Sequence, residues 1–482
     1  MYSYPSASSL WRRPKLRIAI VGGGATGVIA AAHLAARPHS RGDDILVIDP
    51  GAELGRGLAY STTDPLHLLN VRAANMSALA DEPHHFCAWL EARFGATQAS
   101  PFSFVSRWTY GDYLVDIARG LEAAGRIAHL RERCVDLIET DKGVALCFAS
   151  GAAIVADVAV LATGHDGKPA LDGVPAEQPW TDEAMAGFDP MAPILIVGSG
   201  LTMVDMALSL DRHGHRGPIH VLSRRGLLPA AHRPTIARTL EPEEVPLGVE
   251  LSGMVLRLRA LAAAETRAGG DWRVTIDALR PYTQQLWRAM THEQRRRFLR
   301  HARPYWDVHR HRMAPEVERR LAELIQSRRL NVIAGSLTHA ATEGNGVAVE
   351  LRLRSAKGAR TLHVARVIDC TGLMDNPAKF ANRLIGGLLA RGLACVDALS
   401  IGLEVSEDLA LVDACGRASK RVRALGPLAR AAFWESTAIP DIRLQCRELA
   451  DSLPRADAAT EESNATTFES GGQRRRMMSS RQ

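Results

Sequence analysis

Ile18 to Leu34 and Ile194 to Leu208 each read as a short apolar strand, a glycine turn and the opening of a helix. Each is followed by a second apolar strand, Asp44 to Asp49 and Ile219 to Gly226, and later by strand-like segments that end in Thr-Gly, at Thr163-Gly164 and Thr371-Gly372. One plan written twice predicts an α/β fold class: two Rossmann-like dinucleotide-binding domains, the second inserted in the first, with a helical insertion. The predicted boundaries are 17–190 and 365–453 for the first domain and 191–364 for the second, with the helical insertion at about 230–330. Residues 1–16 and 454–482, Ser-rich at one end and Ser/Thr/Glu-rich then basic at the other, are expected to be disordered.

In the first unit Gly22, Gly24 and Gly27 fit G-x-G-x-x-G. Gly22 permits the tight turn, Gly24 lets a pyrophosphate approach the backbone, and Gly27 lets helix and strand pack closely. Ala25 and Thr26 then open a helix whose free N–H groups and positive dipole end suit phosphate. Asp49, followed by Pro50, closes the next strand and would accept hydrogen bonds from a ribose.

Gly51 to Ser77 is too long for a simple connection, and long loops at the carboxyl ends of parallel strands are where ligands sit. Asn70, Met76 and Ser77 are candidate lining for a ring system; the alternative is a surface excursion packed by its own leucines. Helices are expected at Pro83 to Phe94 and Arg107 to Ala118, then a strand at Ile127 to Val135. A hairpin follows, Gly143 to Phe148 with Ala152 to Ala156 across Ser150-Gly151. The strand Val158 to His165 ends at Thr163 and Gly164, small enough to lie against a nucleotide.

The second unit carries Gly198 and Gly200, with Leu201 and Thr202 opening its helix. Met203 stands where the third glycine would, so helix and strand must pack more loosely or differently there. The acid is also replaced, by Ser223, Arg224 and Arg225. A hydroxyl and guanidinium groups welcome a 2′-phosphate that a carboxylate would repel, so the second cofactor is expected to be NADPH rather than NADH. The alternative is a pair of solvated turn charges.

Residues 230–330 have helical periodicity, with Trp272 to Met290 and Glu293 to His301 amphipathic and arginine-rich. Arg303 to Pro315 concentrates aromatics, histidines and arginines. Asp307, His309 and His311 alternate, lack a cysteine partner and sit among positive charges, so no metal is expected. The segment is expected to close over an anionic substrate or the NADPH phosphates, or else to form a polar domain interface. The last helix should start at Ile439-Pro440, where proline suits the first helical position and the helix start favours negative charge on a reduced ring.

Composition narrows the class. The 482 residues are 46% hydrophobic and 23% charged, ordinary for a globular chain with two or three domains. The net charge of +6 is too diffuse to argue for nucleic acid. Seven scattered cysteines without C-x-x-C argue against a disulfide framework, a structural zinc site or a redox-active dithiol. No apolar h-region follows the N-terminal residues and no apolar run reaches membrane length, so a cytoplasmic protein is expected, with neither membrane nor nucleic acid as partner.

The set Gly22-Gly-Gly-Ala-Thr-Gly27, Gly57-Leu-Ala-Tyr60 with Leu68-Leu-Asn-Val71, Ala162-Thr-Gly-His165, Gly198-Ser-Gly-Leu-Thr-Met-Val-Asp205, Tyr305 to Pro315 and Thr437-Ala-Ile-Pro440 resembles the bacterial FAD/NAD(P)-binding proteins related to class B flavin monooxygenases. The resemblance spans about residues 17–450 and departs from the family at Arg72, where proline usually follows Asn-Val. It implies FAD in the first domain, NADPH in the second, and relatives that N-hydroxylate amino acids. On that reading the chain takes hydride from NADPH, activates O2 on the flavin and hydroxylates a small nitrogen substrate. Asn70 and Ser77 would support the flavin, while Arg303 and Arg310 would attract a carboxylated substrate. A reductase serving a protein or quinone, and a non-catalytic FAD-binding module, are the alternatives.

Overall fold

The computed structural model describes residues 15–38, 42–96, 100–164, 171, 173–355, 358–372, 376–379 and 382–453. Residues 1–14 and 454–482, expected to be disordered, lie outside the described residues, as does His165.

Seven strands open the chain: β1 (Arg17–Val21), β2 (Asp44–Ile48), β3 (Ala128–Leu130), β4 (Cys134–Thr140), β5 (Gly143–Phe148), β6 (Ala153–Ala156) and β7 (Val158–Leu161). Six more form the middle: β8 (Ile194–Val197), β9 (Ile219–Ser223), β10 (Leu330–Glu343), β11 (Gly346–Leu353), β12 (Ala359–Val364) and β13 (Arg366–Asp369). Then come β14 (Ala410–Val412) and β15 (Ala418–Ala424). They assemble as β14-β15-β7-β1-β2-β3, β12-β11-β10-β9-β8-β13, and a small antiparallel β4-β5-β6 sheet.

The two large sheets repeat one topology. In the first, β1 lies between β2 and β7, all parallel, with Ile18 facing Ile45 on one side and Val158 on the other. In the second, β8 lies between β9 and β13 in the same sense. Both central strands are continuous apolar runs because helices cover both faces of a parallel sheet. Ile18, Ala19 and Ile20 are fully buried, as are Ile194, Leu195 and Ile196. Each such Ile or Leu contributes roughly 1.5–3 kcal/mol on leaving water.

Three expectations shift. The strand read over 127–135 divides: β3 joins the first sheet beside β2, whereas β4 turns away to pair with β5. The single helix read over 272–290 is two, Trp272–Ala278 and Thr283–Ala289, divided at Arg280–Tyr282 by Pro281, which has no N–H to continue the ladder. The boundary at 364/365 is also corrected. β13 pairs with β8, so the chain completes the second sheet before it returns to the first domain. Much of the connection before 190 belongs to the second domain as well: Glu177 bridges Ile368, and Ala184 is buried in that domain's core.

The helical insertion docks back on the first domain. Trp287 donates its indole N–H to Ala431 O at 2.7 Å and stacks on Trp434 at 4.6 Å between centroids.

Candidate cofactor sites

The turn after β1 has one tolerable residue at two places. Gly22 adopts φ 106°, and a Cβ there would sit 2.5 Å from the Ala162 carbonyl oxygen, against β7. A Cβ on Gly27 would overlap the Gly22 carbonyl oxygen, which is the close helix–strand approach its place in the motif requires. Gly24 differs: it caps the helix Ala25–Ala36, and a Cβ there would meet Gly57, its Cα at 3.3 Å and its N at 3.8 Å. The open side of this turn faces a cavity of ≈ 1010 Å3, at the upper end of the roughly 300–1,000 Å3 usual for ligand sites.

That cavity brings together Gly22, Gly24, Ala25, Thr26, Asp49 and Pro50 with Thr163 and Gly164 from the end of β7 and Ile439 from the last helix. Gly27 lies behind it and Pro440 is buried beside it. Asp49 accepts from the Gly23 N–H and the Gly51 N–H, each at 2.8 Å, so the carboxylate is oriented by the turn it serves. Thr163 Oγ1 is buried without a hydrogen-bond partner, a polar atom that a bound group would satisfy. Thr437 and Ile439 line the opposite side, where the helix Ile439–Ser452 begins. A glycine cradle, an acid at the ribose position, an orphaned hydroxyl and a helix start fit a dinucleotide carrying a ring system.

The second site follows from equivalent hydrogen bonds. The Gly22 N–H donates to Ile48 O at 2.9 Å, and the Gly198 N–H donates to Leu222 O at 2.8 Å. Ser223 therefore stands where Asp49 does, and Arg224 where Pro50 does. Likewise the Ala162 and Cys370 N–H groups donate to Val21 O and Val197 O, which sets Thr371 and Gly372 in the places of Thr163 and Gly164. Gly198 repeats φ 106°, and its Cβ would overlap Cys370 O. Gly200 caps the helix Leu201–Arg212, opened by Leu201 and Thr202, with nothing within 4 Å of a would-be Cβ. Met203 alters the first turn: its N–H and that of Val204 both reach Gly200 O, at 3.1 and 3.3 Å. At the strand end Ser223 Oγ accepts from the Gly226 N–H at 3.1 Å. Arg225 reaches His301 O and lies over Tyr305, whereas the Arg224 side chain is exposed.

Two of the expected flavin-supporting residues sit elsewhere. Ser77 is fully buried and donates to Glu82 O at 2.6 Å, so its hydroxyl serves the loop's own backbone. Asn70 does not line the cavity; its carbonyl accepts from His232 Nε2 at 3.0 Å, tying the loop to the second domain. The preceding part of that loop and the start of the helix Arg107–Ala123 make a polar seam that sequence reasoning missed. Arg107, which lines the cavity, contacts Asp205 Oδ2 at 2.6 Å, and Asp205 belongs to the helix after Gly200. Asp64 pairs with Arg212 at 2.8 Å and accepts from Ser209, which also meets His67 at 2.7 Å. Burial raises Asp205 above the usual carboxylate range, with Arg107 and His67 pulling the other way. Burial pushes Asp64 upward too, but the Leu66 N–H, Ser209, His67 and Arg212 outweigh it and hold Asp64 low.

Arg303 and Arg310, expected to attract a substrate carboxylate, are already matched inside the protein. Arg303 Nε donates to Asp307 at 3.2 Å. Arg310, 8% exposed, lies 2.9 Å from Glu435, whose other oxygen accepts from Trp306 Nε1 at 2.7 Å. Glu435 is buried with φ 66°, a left-handed conformation that costs a non-glycine residue about 1 kcal/mol or more. Burial opposes its charge, yet Arg310, His311, Trp306 and Arg280 hold its carboxyl below the usual range. Arg280 in turn meets Asp441 in the first turn of the last helix. The inner face of the segment is thus an interface between the insertion and the turn at Glu435 that precedes the last helix. Among the described residues no group of three or more metal-ligating side chains assembles, and all seven cysteines are free thiols.

The FAD-NAD(P)-binding family model matches residues 19–166. No curated protein sequence matches the chain. Among solved structures, the chain is similar to the ornithine hydroxylase of Pseudomonas aeruginosa, with TM-score 0.62 and 15% identity over 91% of this chain and 98% of that one. It is similar to the ornithine N-hydroxylase of Kutzneria sp. 744, with TM-score 0.60, 15% identity and coverage of 91% and 99%. The L-lysine 6-monooxygenase of Pseudomonas syringae gives TM-score 0.60, 16% identity and the same coverages. Residues 19–166 are therefore similar to the FAD-NAD(P)-binding family, and the chain as a whole has the fold of these hydroxylases.

Proposed function

We propose that the protein is an FAD- and NADPH-dependent monooxygenase that hydroxylates a nitrogen of a small, amino-acid-like substrate in the cytoplasm. One observation carries the reading: two equivalent turn-and-strand sites share a seam, with Asp49 in one and Ser223 with Arg224 at the same position in the other. An acid suits the ribose hydroxyls of FAD, and an exposed guanidinium beside a hydroxyl suits the 2′-phosphate of NADPH. The structure of the Kutzneria ornithine N-hydroxylase holds reduced FAD, NADP+ and L-ornithine, which supports the pairing. No helix of the described residues is long and apolar enough to cross a membrane.

FAD, when bound, supplies hydride acceptance and reaction with O2. The chain's own part is to bind and orient. The turn at Gly22 to Gly27 and the start of its helix take the pyrophosphate, and Asp49 fixes the ribose. Thr163 offers a hydroxyl, and the helix start at Ile439 places its positive dipole end beside the cavity. Arg107 and Asp205 hold the second nucleotide-binding helix against the start of the helix Arg107–Ala123, which borders the first site, keeping the two sites in fixed relation.

The test is anaerobic reduction by NADPH and by NADH, followed by oxygen and a panel of amino acids and diamines. NADPH should bleach the flavin faster than NADH, and one amine should raise hydroxylated product over peroxide. A flavin that NADPH never bleaches overturns the proposal. So does equal turnover of an artificial acceptor with and without O2 and no hydroxylated product.

A further inference from the structure

A second large cavity lies in the helical insertion. It measures ≈ 1060 Å3 and shares no lining residue with the cofactor cavity. Its floor is aromatic: Trp287 and Trp434 stack, and Phe298 meets Trp434 edge-on at 5.4 Å. Its walls come from Trp272 and Trp306 on one side and from Val255 and Leu256 of the helix Leu251–Arg267 on the other. That helix buries little: only Leu251 and Met254 are in the core, while Leu256 stays 65% exposed. An apolar wall left facing a cavity invites an apolar occupant.

The charges around it have one sign. Arg259 and Arg297 line the cavity, and among the described residues no Asp or Glu does. Arg259 and Arg297 are exposed, and among the described residues neither meets a carboxylate within 4.0 Å. The floor is closed: Trp287 is only 1% exposed, so an occupant meets chiefly the wall, where Leu256 is 65% exposed.

We propose that this cavity is a binding site for an acyl carboxylate, its alkyl chain lying along the exposed wall of Val255 and Leu256 and its head at Arg259 and Arg297. The site is separate from the cofactor cavity of the first domain, adjoins the second site where Arg225 meets His301 and Tyr305, and binds without turnover. It does not depend on the monooxygenase reading.

The experiment is calorimetric titration of the FAD-loaded protein with decanoate, octanoate, and decylamine as the same chain with the opposite charge. Decanoate should bind saturably at one per chain. A buried methylene is worth about fourfold in affinity, so octanoate should bind about fifteenfold more weakly. Decylamine should bind at least about tenfold more weakly than decanoate, since the cationic head meets only like charge. Leu256→Glu, an exposed position, should weaken decanoate at least about tenfold while melting temperature and FAD content stay unchanged. Arg259→Glu with Arg297→Glu should reverse the preference between the two heads. Equal binding of decanoate and decylamine, absence of a chain-length dependence, or full binding by Leu256→Glu would overturn the proposal. Concentration-dependent dimerisation abolished by Leu256→Glu, with no decanoate binding, would overturn it in favour of a contact between copies.

Discussion

Replacing Gly200 by alanine separates nucleotide binding from folding. Gly200 has φ −82°, open to any residue, and a Cβ there meets nothing within 4 Å. Alanine removes unfolded-chain freedom, a gain of about 0.4–1 kcal/mol, but is a poorer helix cap than glycine by a similar amount. The two nearly cancel, so the melting temperature should move by less than about 3 °C. The new methyl group instead occupies the space through which a phosphate reaches the helix start. Losing one hydrogen bond to a charged group costs about 1.5–3 kcal/mol, or roughly 10- to 150-fold in affinity. The assay is stopped-flow bleaching of the flavin under anaerobic conditions at rising NADPH concentration. Half-saturation should rise by that factor with FAD content at the wild-type level. Gly198→Ala is the contrasting variant: it forces φ 106° on alanine and overlaps Cys370 O, so stability should fall with affinity. Gly200→Ala protein that NADPH reduces at wild-type half-saturation would refute the placement of the pyrophosphate.

Three further outcomes test other parts of the argument. Arg224→Ala should raise the NADPH half-saturation on the order of tenfold and leave that for NADH unchanged, since the side chain is exposed and held by no structural role; equal effects on both would sink the 2′-phosphate assignment. Arg310→Ala should lower stability by about 3–5 kcal/mol because it strands Glu435 in the interior, and Arg310→Met with Glu435→Gln should cost clearly less; additive losses in thermal unfolding would show the pair is not coupled. Burial first, then Arg312, holds His232 at about 4, below its ordinary 6.5. A histidine depressed in the folded state binds fewer protons there, so its contribution rises with pH between about 4 and 6.5 and is lost as pH falls through that window. The limit is roughly 3 kcal/mol. His232→Asn should flatten the acid side of the stability curve, and a slope identical to wild type would count against it.

The local code was legible residue by residue. Gly22 and Gly198 marked turns because φ 106° excludes side chains, and the apolar runs around Ile18 and Ile194 marked buried parallel strands. Periodicity also found the hairpin of β5 and β6 and the helix starting at Ile439. Arg310 misled for a definite reason: sequence shows a cation but not its partner, and Glu435 lies on a distant segment, whereas Arg303 meets Asp307 one helical turn on. Ser77 misled in the same way, its hydroxyl being claimed by Glu82 O. The seam of Asp64, His67 and Arg107 with Asp205, Ser209 and Arg212 carried no motif at all, since nothing in either stretch specifies the other.

By itself, then, the sequence determined the repeated strand, turn and helix units, the acid in one and the hydroxyl with arginines in the other. Those follow from steric limits and charge within a few neighbouring residues. Only the tertiary structure decided that β13 closes the second sheet, that Arg107 and Asp205 join the two sites, and that the tryptophans of the insertion surround a second cavity. Such features rest on contacts between segments far apart in the chain, where burial and pairing are properties of the packed whole rather than of any stretch of it.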